Sequence, residues 1–386
     1  MNSRSPTVLV LGGGVGGLVA ANRLARALDG RGGVVLIERE SDHLFTPSLL
    51  WLMGGKRRPE QIRRPLSALR RRGVEVVRAE IESIDPRARS VVAGGKAFNA
   101  DHIVIALGAD LAPERVPGLV EAGHNLYTLP GMLSLQQALQ RFDAGRIAVV
   151  IASVPFKCPA APYEAAMLIH DFFRAQGRRD RVQIDLYAAE PGPMGVAGAE
   201  VSAAVRNMVT ECGIAYHPEH VLTEVDPERR GLAFANGKRA DCDLLAFVPP
   251  HQAPRVVRES GLCPEGGWVP VNRATLETAF PGVHAIGDVT GIPLKLGKPL
   301  PKAGTFAHAQ AEVVAHNIAC AVLGRGEPRQ FDGVGECFIE MGQGRAGYAK
   351  GNFFAEPLPE VRMRTPGRRW HWSKVLFEKH WLWRWF

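Results

Sequence analysis

The first part of the chain alternates short apolar runs with a glycine-rich turn and a stretch of helical spacing. Residues 7–11 are continuously apolar, residues 12–17 are nearly all glycine, and residues 18–28 carry apolar positions at helical spacing. A second apolar run, residues 34–37, ends at Glu38. Such runs, when a helix separates them, are typical of buried parallel strands. The pattern therefore predicts a strand–helix–strand unit that begins a parallel sheet.

The glycines of this first turn have the spacing of a dinucleotide-binding loop. Gly12, Gly14 and Gly17 match the pattern GxGxxG. The first glycine permits a tight turn, the second lets a pyrophosphate approach the backbone, and the third lets the helix pack on the strand. The phosphates then lie at the helix amino terminus, where unpaired N–H groups favour an anion. Glu38, at the end of the second strand, is placed to accept hydrogen bonds from a ribose.

Two later apolar runs end in similar small-residue turns. Residues 101–108 end at Gly108, and residues 281–288 end at Gly287 and Asp288. With the first motif, they resemble the three separated signatures of flavoproteins that contain two dinucleotide-binding domains. In that family the aspartate contacts FAD. An ordinary turn is the alternative interpretation of the Gly287–Asp288 pair.

A second domain is expected to open with the apolar strand at residues 146–151. The segment after this strand contains Pro155, Pro159 and Pro162, and there is no glycine between residues 147 and 176. Prolines lack an N–H donor, and side chains keep a pyrophosphate away from the backbone. The sequence therefore predicts a Rossmann-like domain without a nicotinamide site, so that a reductant other than NADH must supply electrons.

Cys158 lies where that segment meets the next predicted helix. A thiol near a helix amino terminus and beside Lys157 is expected to have a lowered pKa and to be partly a thiolate. A buried and unreactive cysteine is the alternative interpretation.

The surroundings of Cys158 resemble a known redox motif. Residues 156–164, FKCPAAPYE, are similar to the first redox-cysteine motif of sulfide:quinone oxidoreductases and of the related flavocytochrome c sulfide dehydrogenases, and residues 335–342, which contain Cys337, are similar to the second. Residues 45–48, 301–304 and 374–378 extend the likeness. The resemblance implies an α/β fold: two Rossmann-like dinucleotide-binding domains, the FAD domain being interrupted by a degenerate NAD-like domain, and a small C-terminal membrane-interface region. The corresponding segments are 1–118 and 263–325 for the FAD domain, 119–262 for the second domain and 326–386 for the C-terminal region.

The resemblance also implies the cofactor and the site residues. We expect non-covalent FAD, because no cysteine precedes Cys158 and a cysteinyl link is therefore impossible. The expected cofactor-binding residues are Gly12, Gly14, Gly17, Glu38, Arg39, Pro47, Ala79, Gly108, Gly287, Asp288, Lys302 and Lys374. The expected catalytic residues are Cys158, Cys337 and Glu164, and the expected quinone-binding residues are Phe338, Phe377 and Lys374.

By the same resemblance, the chain is expected to be an FAD-dependent sulfide:quinone oxidoreductase. Hydrosulfide would attack a Cys158–Cys337 disulfide and leave a persulfide and a thiolate, and two electrons would pass through FAD to a quinone. Glu164 would shuttle protons, or would simply be an acid favoured in the first turn of a helix. The alternatives are a type-two NADH:quinone dehydrogenase, a sulfide dehydrogenase with a cytochrome acceptor, and a persulfide sensor or carrier that does not turn over.

Other cysteine positions depart from the family or carry no motif. Many sulfide:quinone oxidoreductases have a third cysteine in a Cys-Thr-x-Pro segment, and Tyr127 occupies that position here. Long polysulfide products are therefore less expected. No CxxC motif exists, so neither a metal site nor an iron–sulfur cluster is expected. The remaining four cysteines are interpreted as packing residues: Cys212, Cys242, Cys263 and Cys320.

Composition and charge limit the class of protein and the partners that it could bind. The chain has 386 residues, of which 46% are hydrophobic and 22% charged, which is typical of a globular protein with two domains. No run reaches the roughly 18 apolar residues that a spanning helix requires. The net charge of +8 is concentrated in residues 56–72 and 361–386. Anionic lipid, nucleic acid or a solvated helix face could account for such segments.

The final residues combine aromatic and basic side chains. Five of the seven tryptophans lie in the last 17 residues: Trp370, Trp372, Trp381, Trp383 and Trp385. This pattern predicts a helix that lies in a membrane interface, with docking onto the protein's own core or onto a dimer partner as the alternative. Nucleic acid is not expected, because no binding motif accompanies the tail. Residues 1–6 lack the apolar segment of a signal peptide, so we expect a peripheral, monotopic protein on the cytoplasmic side of the cell membrane. A homo-oligomer is compatible with the sequence.

Overall fold

The structure is a computed structural model that describes residues 5–386. The expectation about the amino terminus rests largely on residues 1–4, which lie outside the described residues. The α-helices of the described part are α1 (Val15–Leu28), α2 (Leu49–Met53), α3 (Leu119–Ala122), α4 (Leu129–Arg141), α5 (Ala161–Ala175), α6 (Ala199–Thr210), α7 (Arg255–Glu259), α8 (Gly304–Leu323) and α9 (Arg368–Arg384).

The strands follow in chain order. They are β1 (Thr7–Leu11), β2 (Gly33–Glu38), β3 (Asp42–Leu44), β4 (Arg63–Pro65), β5 (Glu75–Arg78), β6 (Ile81–Asp85), β7 (Ser90–Ala93), β8 (Lys96–Asn99), β9 (His102–Ile105), β10 (Asp110–Leu111), β11 (Gly123–Asn125), β12 (Gly145–Ile151), β13 (Val182–Ala188), β14 (Ala215–His217), β15 (Leu222–Asp226), β16 (Gly231–Phe234), β17 (Arg239–Asp241), β18 (Leu244–Val248), β19 (His251–Gln252), β20 (Val269–Pro270), β21 (Val283–Ala285), β22 (Thr290–Gly291), β23 (Val334–Gly342), β24 (Arg345–Asn352) and β25 (Glu360–Gly367).

The first parallel sheet is built from both ends of the chain's first 290 residues. Its strand order is β21-β9-β1-β2-β5, and every neighbouring pair is parallel. The inner residues of β1 are fully buried because the sheet is covered on both faces, and α1 and α8 pack on one of them. The carboxyl end of β1 therefore points at the amino terminus of α1, where ligands bind in open parallel sheets.

The second parallel sheet has the order β11-β18-β12-β13-β14 and draws all its strands from the chain between β9 and β21. Helices α4, α5 and α6 contribute to the hydrophobic cluster that covers it. The expected α/β fold with two Rossmann-like domains is confirmed by these two sheets. The domain boundaries given above stay a prediction.

The C-terminal region is an antiparallel sheet, β23-β24-β25, followed by α9. Helix α9 docks on the first domain: Trp381, Leu382 and Trp385 are at most 3% exposed and join the cluster that contains the inner residues of β1. The alternative interpretation of the tail therefore accounts for these two tryptophans. Trp372 and Trp383, by contrast, are 61% and 73% exposed. Helix α9 thus has one docked face and one exposed aromatic face.

The buried imidazole of His43 joins α9 to the glycine turn of the first domain. Its Nδ1–H donates to the Gly13 oxygen at 2.9 Å, and its Nε2 accepts from the Trp381 indole at 3.1 Å. The bond from Trp381 requires a neutral ring, because only an unprotonated Nε2 accepts, and burial lowers the pKa of His43 to about 4 against the weaker, opposite effect of the Gly13 bond. Protonation of this ring therefore removes an attachment of α9.

We expect acid to destabilise the protein through His43. Between its ordinary pKa of 6.5 and the folded value of about 4, the unfolded chain binds a proton that the folded protein does not, so this contribution to stability is complete above 6.5 and is lost as the pH falls. At about pH 5 the loss is ~2 kcal/mol. His43→Gln removes the titration, so the difference in unfolding free energy between wild type and variant, measured by urea denaturation, shrinks by that amount on acidification. An unchanged difference contradicts this role.

Candidate functional site

The glycine turn between β1 and α1 has the geometry of a dinucleotide cradle. Gly12 has φ +100, and a Cβ there would lie 2.6 Å from the Ala106 oxygen, while a Cβ on Gly17 would lie 1.8 Å from the Gly12 oxygen. These two positions therefore require glycine. A Cβ on Gly14 would meet no atom within 4 Å, so the first turn of α1 faces open space that a side chain would otherwise occupy. Backbone N–H groups at this end of α1 are available to a pyrophosphate, so the residues present fit a dinucleotide.

The residues expected near the adenosine end lie around the carboxyl end of β2. The Glu38 carboxylate accepts from Gly13 N at 2.6 Å and from Glu40 N at 3.0 Å, which places it beside the glycine turn. Ala79 lies next to it, because its N–H donates to the Glu38 carbonyl at 3.0 Å. The exposed Arg39 points toward Glu80, 3.7 Å away.

Gly108, Gly287, Asp288 and Lys302 lie at the carboxyl ends of the first sheet and beyond. Gly108 and Gly287 adopt φ of +69 and +73, and Gly108 opens onto space that no atom occupies within 4 Å of a Cβ. Lys302 Nζ donates to the Asp288 carbonyl at 2.6 Å. Burial raises the pKa of Asp288 and lowers that of Lys302 to about 7. The structure thus brings this aspartate and this lysine together, while their binding of a cofactor stays a prediction.

Lys302 also fastens the loop that carries Cys158. The Cys158 N–H donates to the Lys302 carbonyl at 2.6 Å, and Cys158 itself adopts a left-handed φ of +49. Tyr127 holds the same loop from the other side, since its hydroxyl donates to the Lys157 carbonyl at 2.6 Å. Tyr127, which occupies the position of a third cysteine, therefore holds the Cys158 loop in place through a hydrogen bond. The sequence identified the replacement but not this contact.

Cys158 and Cys337 lie near each other, where the C-terminal sheet packs on α5. Cys158 precedes α5, Cys337 lies in β23, and both pack against the same hydrophobic cluster. They are half-buried free thiols. Burial raises the pKa of Cys337 well above its ordinary value, and the neighbouring Cys158 adds to this effect. The structure thus brings together two residues that are 179 positions apart, while a bond between them stays a prediction.

The expected lowering of the Cys158 pKa is wrong. Burial, and then the Glu164 carboxylate, raise the pKa of this thiol to about 12. The N–H of Ala161 at the start of α5 does act in the expected direction, but it is outweighed. The cation that lowers the pKa is Lys374 rather than the neighbouring Lys157, whose ammonium lies 5.9 Å from the Tyr127 ring centroid.

A buried ion pair lies beside the two thiols. Lys374 Nζ of α9 is 3.1 Å from Glu164 Oε1 of α5, and both side chains are at most 7% exposed. The same carboxylate oxygen accepts from the Glu340 N–H at 2.7 Å. Burial raises the pKa of Glu164 in spite of Lys374. Burial alone would lower the pKa of Lys374, but Glu164 and Glu340 hold it above its ordinary value.

The sequence analysis missed two members of this network. Glu340 is 1% exposed, and its carboxylate accepts from His371 Nδ1 of α9 at 3.0 Å. Among the side chains of residues 337–341, Glu340 is the only charged one. A carboxylate in such an apolar strand is the signal that could have indicated a buried partner.

Aromatic side chains cover one side of the site. Phe377 of α9 lies 6.5 Å from Phe338 of β23 and 5.7 Å from Phe45, measured between ring centroids. Phe377 is 39% exposed. Pro47 follows Phe45 in a short 3-10 turn, Thr46–Ser48. The three residues that the resemblance assigns to a quinone, Phe338, Phe377 and Lys374, are therefore carried by two adjoining elements.

The segment between β12 and α5 contains no glycine turn. It consists of residues 152–160, and Pro162 occupies the first turn of α5. The backbone of this loop is held by two hydrogen bonds, one from the Cys158 N–H to the Lys302 carbonyl and one from the Tyr127 hydroxyl to the Lys157 carbonyl. In residues 5–386 we find no cluster of three or more His, Cys, Asp or Glu side chains placed to hold a metal ion. No helix of that part has the length and apolarity needed to cross a bilayer.

Comparisons with known proteins agree with this arrangement. The sequence profile of the pyridine nucleotide-disulphide oxidoreductases matches residues 6–311. The sulfide-quinone reductase of Aquifex aeolicus is 30% identical over 98% of this chain and 90% of its own length. The mitochondrial sulfide:quinone oxidoreductase of Mus musculus is 27% identical over 91% of this chain and 79% of its own.

Comparison with solved structures points to the same family as the sequence comparisons. The X-ray structure of the sulfide:quinone oxidoreductase from Aquifex aeolicus superposes with a TM-score of 0.89 at 28% identity, covering 98% of this chain and 91% of that one. The match extends through the C-terminal sheet and α9, and is therefore not confined to the two nucleotide-binding folds. The chain belongs to the pyridine nucleotide-disulphide oxidoreductases and, among them, to the sulfide:quinone oxidoreductase family.

Proposed function

We propose that this protein is an FAD-dependent sulfide:quinone oxidoreductase. The observation that carries the proposal is the position of Cys158 and Cys337, which lie near each other and near the Glu164–Lys374 pair, after a β12–α5 segment that has no glycine turn. The dinucleotide cradle at Gly14 and the Asp288–Lys302 pair would hold FAD, without a covalent link to a cysteine. When bound, FAD supplies a two-electron acceptor between sulfur and quinone.

The two thiols carry the sulfur chemistry. In the oxidised protein they form a disulfide, which hydrosulfide attacks: the S–S bond breaks, one cysteine becomes a persulfide and the other a thiolate. A second hydrosulfide takes the outer sulfur from the persulfide and leaves a second thiolate. Closing the bridge again releases two electrons. Tyr127 and Lys302 keep the Cys158 loop in place during these exchanges.

Glu164 and Lys374 handle protons and charge. Glu164 is the carboxylate that raises the pKa of both thiols most strongly, and the raised pKa of its own carboxyl favours a group that accepts and returns a proton. Lys374 stabilises the thiolates, because its ammonium lowers the pKa of both cysteines. Lys374 also contributes a positive charge near Phe338 and Phe377, where the quinone would stack.

The exposed face of α9 suits a membrane-bound quinone. Trp372, Leu376 and Trp383 are each more than 60% exposed, and their spacing of four and seven residues places them on one side of the helix. Aromatic and aliphatic side chains of this kind enter the headgroup region of a bilayer. We therefore infer peripheral attachment through α9, on the cytoplasmic side of the cell membrane.

The choice of reductant tests the proposal. Anaerobic addition of sulfide to the FAD-loaded protein should bleach the flavin absorbance, and addition of a short-chain quinone should restore it. NADH at the same concentration should leave the absorbance unchanged, because residues 152–160 offer no glycine turn. Bleaching by NADH and not by sulfide would revive the NADH:quinone dehydrogenase alternative. Bleaching by sulfide without turnover of quinone would favour the persulfide sensor.

A further inference from the structure

A basic cavity lies between α1 and the end of α9, away from the dinucleotide turn. Its volume is about 250 Å³, and it is lined by Asn22, Arg23, Arg26, Arg72, Arg384 and Trp385. Asn22 is eight residues along α1 from Gly14, which is about 12 Å at the rise of an α-helix. We call this space the arginine cavity.

Two of the four arginines are held in place by the protein. Arg23 pairs with Glu312 at 2.6 Å, and its guanidinium lies 5.3 Å from the Trp385 ring centroid. Arg72 donates to the Phe386 main-chain oxygen at 2.5 Å and to Asn22 at 3.3 Å. These contacts fix one wall of the cavity and orient its donors.

The other two arginines have no carboxylate partner in the described residues. Arg26 and Arg384 are exposed, and neither takes part in an ion pair there. The Arg384 guanidinium lies 5.5 Å from the Trp385 ring centroid, next to that of Arg23. Four guanidinium groups around one cavity, with Glu312 as the paired carboxylate, leave positive charge that an anion would neutralise.

The cavity joins the two basic segments of the sequence. Arg72 closes the segment 56–72, and Arg384 ends α9, so that more than 300 residues of chain separate side chains that face the same space. Trp383, beside Arg384, is 73% exposed on the face proposed above to enter a bilayer. The cavity therefore adjoins that face, and a side chain that lines it follows directly on one expected to enter the headgroup region.

We propose that the arginine cavity binds the phosphodiester of an acidic phospholipid headgroup. Guanidinium groups match phosphate oxygens in a bidentate way, which a single ammonium cannot do. The available volume is equivalent to about eight water molecules at roughly 30 Å³ each, so a phosphodiester fits with water around it. This inference rests on the proposed membrane attachment, and adds to it a site that selects the lipid.

The test compares vesicle binding by the full chain and four variants. The vesicles consist of phosphatidylcholine alone or mixed with phosphatidylglycerol. The double variant R26A/R384A should bind the mixed vesicles about thirtyfold more weakly than wild type, since each basic side chain near an anionic surface contributes roughly fivefold. The control R229A/R230A removes two exposed arginines from the β15–β16 turn and should bind like wild type.

Charge-conserving variants separate a site from diffuse attraction. R26K/R384K keeps both charges but loses the guanidinium forks, so a headgroup site predicts roughly fivefold weaker binding, whereas wild-type binding overturns the proposal. H316Q changes a side chain of α8 outside the cavity and should have no effect. Equal losses in R26A/R384A and R229A/R230A would also overturn it.

A soluble lipid distinguishes the lipid from free phosphate. Short-chain phosphatidylglycerol, kept monomeric, should raise the unfolding midpoint of wild type and not that of R26A/R384A, whereas inorganic phosphate should leave both unchanged. Equal protection by inorganic phosphate would make the cavity a general anion site and would overturn the lipid assignment. If wild type fails to bind even the mixed vesicles, while the soluble lipid still protects it, the proposed membrane attachment fails and the headgroup site stands.

Discussion

Cys158→Ala is expected to slow the reduction of bound FAD by sulfide about a thousandfold or more. Without this sulfur no bridge to Cys337 exists for hydrosulfide to open, and the remaining thiol has a pKa that burial and its neighbours hold high. Anaerobic stopped-flow absorbance measures the rate directly. The FAD content should match wild type, because the substitution leaves the glycine turn and the contact between Lys302 and Asp288 unchanged.

A matched cysteine variant controls for this result. Cys320 lies on α8 near His316 and, like Cys158, is a half-buried free thiol. Cys320→Ala should therefore reduce FAD at the wild-type rate. Bleaching of Cys158→Ala as fast as wild type would disprove the role of the cysteine pair, whatever the family relationship.

Lys374→Met is expected to destabilise the protein by about 3 kcal/mol near neutral pH, because it leaves Glu164 buried without its cation. Protonation of Glu164 limits the loss, since its pKa is already raised. Urea denaturation measures the change. The double variant E164Q/K374M should recover most of the loss, because a neutral amide in that place needs no counter-charge.

The control for this variant lies five residues further along the same helix. Lys379 is 57% exposed, and its ammonium is 3.6 Å from Glu378. Lys379→Met should change the unfolding free energy by less than about 0.5 kcal/mol, because the Lys379 side chain is largely in water and Glu378 keeps Arg57 as its cation. Equal stability of the Lys374 and Lys379 variants would show that the buried pair does not stabilise α9.

Most of the fold could be predicted because local sequence patterns indicate its helices and strands. The apolar run, the glycines and the helix at residues 7–28 lie together in the sequence, and each reinforces the interpretation of the next. Cys337 could be identified only by resemblance, since no local pattern connects it to Cys158. Their meeting depends on how the C-terminal sheet packs against α5, which periodicity does not describe.

Which side of α9 docks on the protein could not be predicted, for a physical reason. Charged residues of an amphipathic helix are expected to face water. Here Lys374 and Glu378, one turn apart, face inward, and the partners that neutralise them, Glu164 and Arg57, lie more than 200 residues away in the sequence. Trp372, Leu376 and Trp383 are exposed to solvent. Sequence periodicity therefore predicts that the wrong side of this helix faces the protein.

The predicted direction of the Cys158 pKa shift was wrong for a related reason. A helix amino terminus and an adjacent lysine are visible in the sequence, and both favour a thiolate. Burial is a property of the whole fold, and it is the largest effect on this thiol. The lysine that does lower the pKa of Cys158 is Lys374, which lies in the last helix, α9.

The division of the first sheet has a consequence for synthesis on the ribosome. Strand β21 joins the edge of a sheet whose other strands end by residue 105, and the second domain is made in between. The nascent chain must therefore keep an open sheet edge at β9 while a whole domain emerges. Cys337 and Lys374 are synthesised later still. Nearly half of the chain is therefore translated between Cys158 and its partner thiol, Cys337.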